Sequence, residues 1–389
     1  MIDISDTDCI VVGAGFCGSV IARKLAEADK KVLLVERRNH IAGNMYDEID
    51  ANGILVQRYG PHIFHTNEKQ VYDFITAYGE WNKYIHRCAV EMEGVLTPSP
   101  ANFKTIDVLY DKSEAETLKT SLQNRYMGEK SVSIIDLLES DDITIRKYAE
   151  KLFELNYRPY TVKQWGMPPE DIDSSILKRV PIRLDYTDAY FDDEYQVLPQ
   201  KGYTYFFESL IKHDNITVLL NTDALQSFKI DDSRKRILFN EKPIDIPFVY
   251  TGSIDELLDN RYGRLPYRSL IFDFHTKNVD NFQNAPVVVH PGAKEYTRIT
   301  EYKKLPSQNV PDITTIVYDF PLPADKANIK EKYYPVLTKN NAILYNKYYS
   351  ELSEVQNLFL CGRLADYKYY NMDSAIMRAF EIVEKMITK

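Results

Sequence analysis

Val11-Val12-Gly13-Ala14-Gly15-Phe16-Cys17-Gly18, followed by Leu33-Leu34-Val35-Glu36, decides how the chain begins to fold. An apolar run, Cys9–Val12, ends at glycines spaced G-x-G-x-x-G. A helical pattern follows from Ser19 to Leu25, and a second apolar run, Val32–Val35, closes on an acid. The order is strand, glycine turn, helix, strand, acid. Gly13 permits the tight turn, Gly15 lets the backbone approach a pyrophosphate, and Gly18 lets the helix pack close to the strand. The helix N-terminus offers free N–H groups to the phosphates. Glu36, about 20 residues after the glycines, is placed to accept a ribose hydroxyl. Together these features predict a dinucleotide-binding unit. The structural alternative is a glycine turn that only packs helix on sheet.

The far end of the chain repeats the theme. Leu358-Phe359-Leu360-Cys361-Gly362-Arg363 reads as a strand entering a glycine turn, and Asp373–Phe380 begins an amphipathic helix with an acidic start. A cofactor gripped by both ends of the chain suits FAD better than NAD. Between the ends, residues 77–170 lose the strand pattern. Ser131–Asp142 and Ile143–Asn156 carry apolar residues at helical spacing, among them Ile145, Tyr148, Leu152 and Leu155. Tyr267–Phe274, Ala285–His290 and Asp312–Phe320 are β-rich and separated by Pro, Gly and Asn. The expected fold class is α/β. It comprises a Rossmann-like FAD-binding domain (1–76, 201–256 and 355–389), an inserted helical domain (77–168) and an antiparallel β-sheet domain (169–200 and 257–354).

Bulk properties agree. At 389 residues the chain exceeds one typical core, so two or three domains are expected. A formal charge of −9 argues against a general nucleic-acid binder. No apolar run reaches membrane-spanning length, and the N-terminus lacks a basic region followed by an apolar segment. A cytoplasmic location is therefore expected. Cys9, Cys17, Cys88 and Cys361 are scattered without metal-ligand spacing, which predicts reduced thiols. The 29 tyrosines offer ring faces and hydroxyls suited to sugars and nucleotide bases, though aromatics also fill cores.

Arg58-Tyr59-Gly60-Pro61-His62-Ile63-Phe64-His65-Thr66-Asn67 is the second anchor. His62 and His65 lack further convergent ligands, so no metal is expected. Structural histidines are the plain alternative. This segment takes its place in an ordered series: Gly13–Gly18, His40–Asn44, Tyr59–Asn67, Tyr160–Gly166, Arg179–Arg183, Tyr296–Arg298, Lys332–Val336 and Gly362–Met372. The series closely resembles the bacterial UDP-galactopyranose mutase family from about residue 8 to the C-terminus.

The resemblance implies an FAD-dependent isomerase of cell-surface polysaccharide biosynthesis. It would interconvert UDP-galactopyranose and UDP-galactofuranose by attack of reduced-flavin N5 on the anomeric carbon, as a homodimer with a nucleotide-sugar substrate. It assigns Gly13, Gly15, Gly18, Glu36, Arg37, Asn44, His62 and Arg363 to the cofactor, with His65 against the flavin ring. Arg183 and Arg298 would clamp the diphosphate, because a planar guanidinium meets phosphate oxygens bidentately. Tyr190, Tyr334 and Tyr369 would add hydroxyls. Asn82, Tyr160, Thr161, Trp165 and Asn371 would complete the substrate site, with a mobile loop near Trp165. The plain alternatives pair Arg183 with Asp185 and Arg298 with Glu301, and make Trp165 a packing residue. Tyr333 and Tyr334 are adjacent, so only one of them faces a given side.

The chain departs from the family where the sugar and base should lie. Asn156 stands where the family usually has an aromatic, and Val289 where it usually has an asparagine. A pocket that loses an amide would suit a deoxy or N-acetylated sugar, since a buried hydroxyl without a partner costs about 1–3 kcal/mol. A mutase for a dTDP-6-deoxyhexose or a UDP-N-acetylhexosamine is therefore the near alternative. A flavin amine oxidase-like oxidoreductase is the alternative of another class.

Overall fold

The computed structural model describes residues 2–172, 174–178, 180–231, 233, 235–323 and 331–388. Arg179, which opens one of the resembling segments, lies outside them. Five short parallel strands make the first sheet, in the spatial order Ile216–Leu219, Val32–Val35, Cys9–Val12, Phe248–Tyr250 and Leu358–Leu360. These strands are nearly all apolar because helices and loops cover both faces. The chain reverses direction of progress between Cys9–Val12 and Phe248–Tyr250, and a crevice at such a switch point is where open α/β sheets bind ligands. The Phe16–Glu27 helix packs on the C-terminal Met372–Ile387 helix, so both ends of the chain meet there.

The glycine turn shows why the sequence needs its glycines. A Cβ on Gly18 would lie 1.8 Å from the Gly13 carbonyl oxygen and 3.2 Å from Val11 Cγ1. The helix can sit this close to its strand only with hydrogen at that position.

The second sheet has seven strands, ordered Tyr334–Pro335, Tyr267–Lys277, Thr314–Pro323, Arg298–Glu301, Val287–Val289, Cys88–Met92 and Val95–Ser99. Residues 81–99 therefore differ from their expected place in a helical insertion. Cys88–Met92 and Val95–Ser99 form a hairpin at this sheet's edge, turning at Glu93 (φ 52°) and Gly94 (φ 79°). Two consecutive positive φ angles match the twist of a two-residue hairpin. Trp81–Lys83 joins a small sheet with Phe64–Thr66 and Tyr195–Pro199, so Tyr195–Pro199 also lies outside the large sheet. Within the insertion the helices begin only at Phe103. Asn102, Asp111, Ser133 and Asp142 each cap a following helix by accepting backbone N–H bonds. Ile145, Tyr148 and Leu152 are fully or almost fully buried in the core of this helical region.

Candidate active site

A cavity of about 1600 Å³ runs along the carboxyl ends of the first sheet. Gly13, Gly15, Gly18, Glu36, Arg37, Asn44 and Arg363 all line it, as do Trp165, Tyr333 and Asn371. Glu36 is buried; its Oε2 accepts from the Ala14 N–H at 2.8 Å and its Oε1 from the Arg38 N–H at 2.9 Å. Each carboxylate oxygen retains a second lone pair for a ribose hydroxyl. Around Gly15, a Cβ would meet nothing nearer than the Gly43 Cα at 3.9 Å. The backbone here is therefore open to a close-lying phosphate. Size and lining fit a dinucleotide with its pyrophosphate on the Phe16–Glu27 helix N-terminus.

The second half of the site is a row of side chains across the large sheet. Phe272, Asp319, Arg298, Val289, Val90 and Thr97 are directly opposed on consecutive strands and so share one face. The Arg158–Trp165 helix packs on the Thr314–Pro323 strand. Tyr160 thereby comes within electrostatic reach of Arg298 and Asp319, and of Tyr190 and Tyr369. Arg298 donates through Nε to Asp319, which is 1% exposed. Burial works against the Arg298 charge, but Asp319, Tyr160 and Tyr334 outweigh it and hold its proton more firmly than usual. Gly60 brings the Tyr59–Asn67 segment against this arginine: a Cβ there would stand 3.4 Å from Nη2 and 3.1 Å from the Phe272 ring.

Tyr334 stacks on Tyr369, with ring centroids 5.2 Å apart and planes 6° from parallel. Trp165 lies 6.2 Å from the first and 6.4 Å from the second. The Arg363 guanidinium sits over both tyrosine rings, at 5.4 and 5.3 Å. Tyr333 is buried and packs on Phe272 and Tyr59, so Tyr334 is the member of the pair turned to Arg298 and Trp165.

His65 Nδ1 is 2.8 Å from Asp193 and its ring stacks on Phe191 at 3.7 Å. Arg183 is buried and pairs with Asp192 at 2.5 Å, not with Asp185. Its Nη2 reaches the Tyr190 carbonyl at 3.5 Å, which ties it to the cluster through Tyr190. Thr161 is buried within its helix. Asn82 stands exposed on the Trp81–Lys83 strand, outside the cavity lining. Among the described residues no group of His, Cys, Asp and Glu side chains could hold a metal. No helix there is long and apolar enough to cross a membrane. All four cysteines are buried and unpaired by disulfides.

Some members were missed from sequence. Asp319 is the counter-ion of Arg298, not Glu301, the partner named in the plain alternative. Arg268, on the neighbouring strand, donates to the Gln164 carbonyl at 2.7 Å and the Lys163 carbonyl at 3.0 Å, closing the C-terminus of the helix that carries Trp165. Lys163 donates to the carbonyls of His290, Ala293 and Tyr296 at 2.7 to 3.0 Å, pinning that helix to the loop before Arg298. Burial pushes the Lys163 ammonium down to about 8. The available signal was a lone charge inside an apolar strand, in Tyr267-Arg268-Ser269-Leu270 and Val317-Tyr318-Asp319-Phe320.

His62 and His86 are both held neutral. Burial, then Arg363 for His62 and Arg298 for His86, push each imidazole from 6.5 down to about 3. The unfolded chain binds these protons below pH 6.5 and the folded protein does not, so stability falls as pH drops from 6.5 toward 3. Each group contributes a loss of about 1.4 kcal/mol per pH unit through that window. Urea midpoints measured from pH 7 to 4.5 should fall steadily, and the slope should lessen in His86→Gln. A slope unchanged by that substitution contradicts the assignment.

The fold and cavity define an α/β protein with a Rossmann-like dinucleotide-binding unit and a buried arginine–tyrosine cluster on a second, mostly antiparallel sheet. Residues 11–78 match the NAD(P)-binding Rossmann-like domain and residues 155–369 match UDP-galactopyranose mutase. UDP-galactopyranose mutase of Mycoplasma genitalium is 36% identical over 395 residues, covering 100% of this chain and 96% of that one. dTDP-fucopyranose mutase of Escherichia coli is 33% identical over 380 residues, covering 97% of this chain and 98% of its own. A crystal structure of reduced UDP-galactopyranose mutase superposes with a TM-score of 0.72 at 17% identity, covering 98% of this chain and 96% of that one. The chain belongs to the UDP-galactopyranose mutase family, whose members are isomerases.

Proposed function

We propose that this protein binds FAD in the 1600 Å³ cavity and, with the flavin reduced, interconverts the pyranose and furanose forms of a nucleotide sugar, UDP-galactose first. The observation that carries the reading is the placement of Arg298. It is a charged guanidinium in a buried aromatic cluster, close to the Gly60 backbone, and its charge reaches His62, as does that of Arg363, which lines the cavity. Reduced flavin supplies a nucleophile for the anomeric carbon without net redox change.

The chain's own residues do the rest. Glu36 and the glycine turn hold the ribose and pyrophosphate of the cofactor. Arg298 meets the substrate diphosphate, which gains charge as it leaves, so the contact strengthens in the transition state. Tyr160, Tyr334 and Tyr369 add hydroxyls beside it, and Arg183 sits behind Tyr190. The Trp165 helix end, held by Arg268 and Lys163, covers the cluster and excludes water.

A dTDP-6-deoxyhexose is the second reading. It is favoured by the similarity to dTDP-fucopyranose mutase, and by Val289, which lies opposite Arg298 and packs against the apolar core of the helical region. The test incubates FAD-loaded protein with UDP-galactofuranose or dTDP-fucofuranose, with and without dithionite. Exchange is expected only with reduced flavin and without consumption of electrons. Equal turnover by the oxidised protein, or oxygen uptake with an amine as the sole activity, refutes the reading.

A further inference from the structure

Charged side chains of alternating sign close a circuit at one part of the large cavity. Arg37 Nη1 lies 3.9 Å from Glu256, and Glu256 pairs with the Lys332 ammonium at 2.8 Å. Glu331, next to Lys332 in the chain, pairs with Arg38, which is itself next to Arg37. Arg37, Arg38, Glu256, Glu331 and Lys332 all line the cavity. Arg37 and Arg38 stand just beyond the Val32–Val35 strand of the parallel sheet, and Glu256 lies in the short Ile254–Leu257 turn of helix beyond Phe248–Tyr250. Glu331 and Lys332 instead lead into Tyr334–Pro335, the edge strand of the seven-stranded sheet. The Arg38–Glu331 and Glu256–Lys332 pairs therefore tie one sheet to the other across the cavity.

Both ends of these bridges are held by backbone or ring contacts. Arg38 donates through Nη2 to Asn44 at 2.9 Å and sits over the Tyr59 ring at 4.5 Å. Its own N–H goes to Glu36, the acid expected to hold the cofactor ribose. The Lys332 ammonium sits over the Tyr267 ring at 4.9 Å. The Glu331 carbonyl accepts from the Ser269 hydroxyl at 2.8 Å, and the Tyr333 N–H donates to the Arg268 carbonyl at 3.0 Å. The bridging side chains themselves are 14 to 29% exposed. Pairs so placed lie at a mouth, where water and salt reach them and weaken them. They can part without disturbing the sheets behind them.

We propose that the Arg38–Glu331 and Glu256–Lys332 bridges form a strap over the ribose end of the cofactor cavity and set how fast flavin enters and leaves. The inference rests on the reading that the cavity holds FAD. A strap acts on the route to the site, so loosening it speeds passage in both directions and leaves the equilibrium affinity nearly unchanged. A direct contact to the cofactor, or damage to its site, speeds release alone.

The experiment uses the full chain and its Glu331→Gln, Lys332→Met, Glu331→Gln/Lys332→Met and Lys332→Arg variants, with FAD as the probe. Flavin fluorescence follows uptake by the stripped protein and release on dilution. Each neutralising single variant is expected to raise both rates about threefold, and the double variant about tenfold, with Kd within about threefold of wild type. Lys332→Arg, which keeps the charge, should stay within about twofold of wild type. Both wild-type rates should rise between about 0.05 and about 1 M salt, and the double variant's should rise less. Wild-type rates in the double variant overturn the proposal. Faster release with unchanged uptake overturns it too, since Kd then rises by the whole factor. If the double variant takes up no flavin, the two singles are read by the same pair of rates, with the same outcomes. A wild type that takes up no FAD refutes the cofactor reading and the strap together, whereas one that binds FAD with rates indifferent to these substitutions refutes the strap alone.

Discussion

Arg298→Ala is expected to lower kcat on UDP-galactofuranose by more than about tenfold. On the proposed reading the substrate diphosphate gains negative charge as the bond to the anomeric carbon breaks, and the sheet would hold the guanidinium to meet it. Asp319 keeps that guanidinium charged and oriented. Arg298→Lys should rescue poorly, because an ammonium on a flexible stem loses the planar fork. The alanine change also strands Asp319, a buried carboxylate whose proton affinity is already raised by burial and restrained by Arg298. Removing one partner of such a pair costs about 3–5 kcal/mol. The double variant Arg298→Met/Asp319→Leu separates the two effects: it should regain stability in urea and not regain turnover. Near-normal kcat in Arg298→Ala refutes the diphosphate role.

Gly18→Ala is expected to abolish flavin uptake and to destabilise the protein by at least about 3 kcal/mol, at the upper end of overpacking costs. The added methyl collides with the Gly13 carbonyl at 1.8 Å, and a backbone atom cannot swing aside as a side-chain end can. The helix must move off its strand, and its N-terminal N–H groups move with it. Gly15→Ala is the informative contrast. Gly15 has φ −83°, which alanine adopts freely, and its Cβ would meet nothing nearer than 3.9 Å. That variant should keep its urea midpoint and lose flavin affinity, because the methyl occupies the space a phosphate needs. Absorbance at the flavin maximum after reconstitution, read beside a urea curve, distinguishes the two. A fully yellow Gly18→Ala protein would falsify the close-packing argument.

Much of the site was legible because its signals are local. The glycine spacing, the acid at Glu36 and the turn at Gly362-Arg363 depend on neighbours a few positions away, and the cavity collects all of them. The strands around Tyr267–Phe274, Val287–Val289 and Thr314–Phe320 announced themselves by β-branched and aromatic runs. The Cys88–Ser99 hairpin did not. Its turn is Glu93-Gly94, with glutamate at a positive φ that asparagine or aspartate more often takes, and its pairing with Val287–Val289 is parallel and distant in sequence. Asn82, expected in the substrate site, stands exposed and outside the cavity lining for a related reason. Side-chain type could be read from the sequence, but which residue of the Trp81–His86 stretch turns inward is settled by pairing with Tyr195–Pro199 and by the Tyr190 bond to His86.

By itself the sequence determined that this protein has a glycine-built nucleotide turn, a strand-and-glycine return near its C-terminus and a family of substrate motifs in order. The turn and the return follow from backbone freedom, capping and periodicity, which act over a turn of helix or a pair of strand residues; the series of motifs rests on resemblance to the family. Only the tertiary structure decided that Arg298 answers to Asp319 in place of Glu301, that Tyr334 and not Tyr333 faces Trp165, and that His86 is enclosed beside them. Those facts depend on strand register, which sets whole rows of side chains on one face at once. They also depend on burial, which makes an unpaired charge or imidazole costly enough to select its partner from a distant part of the chain.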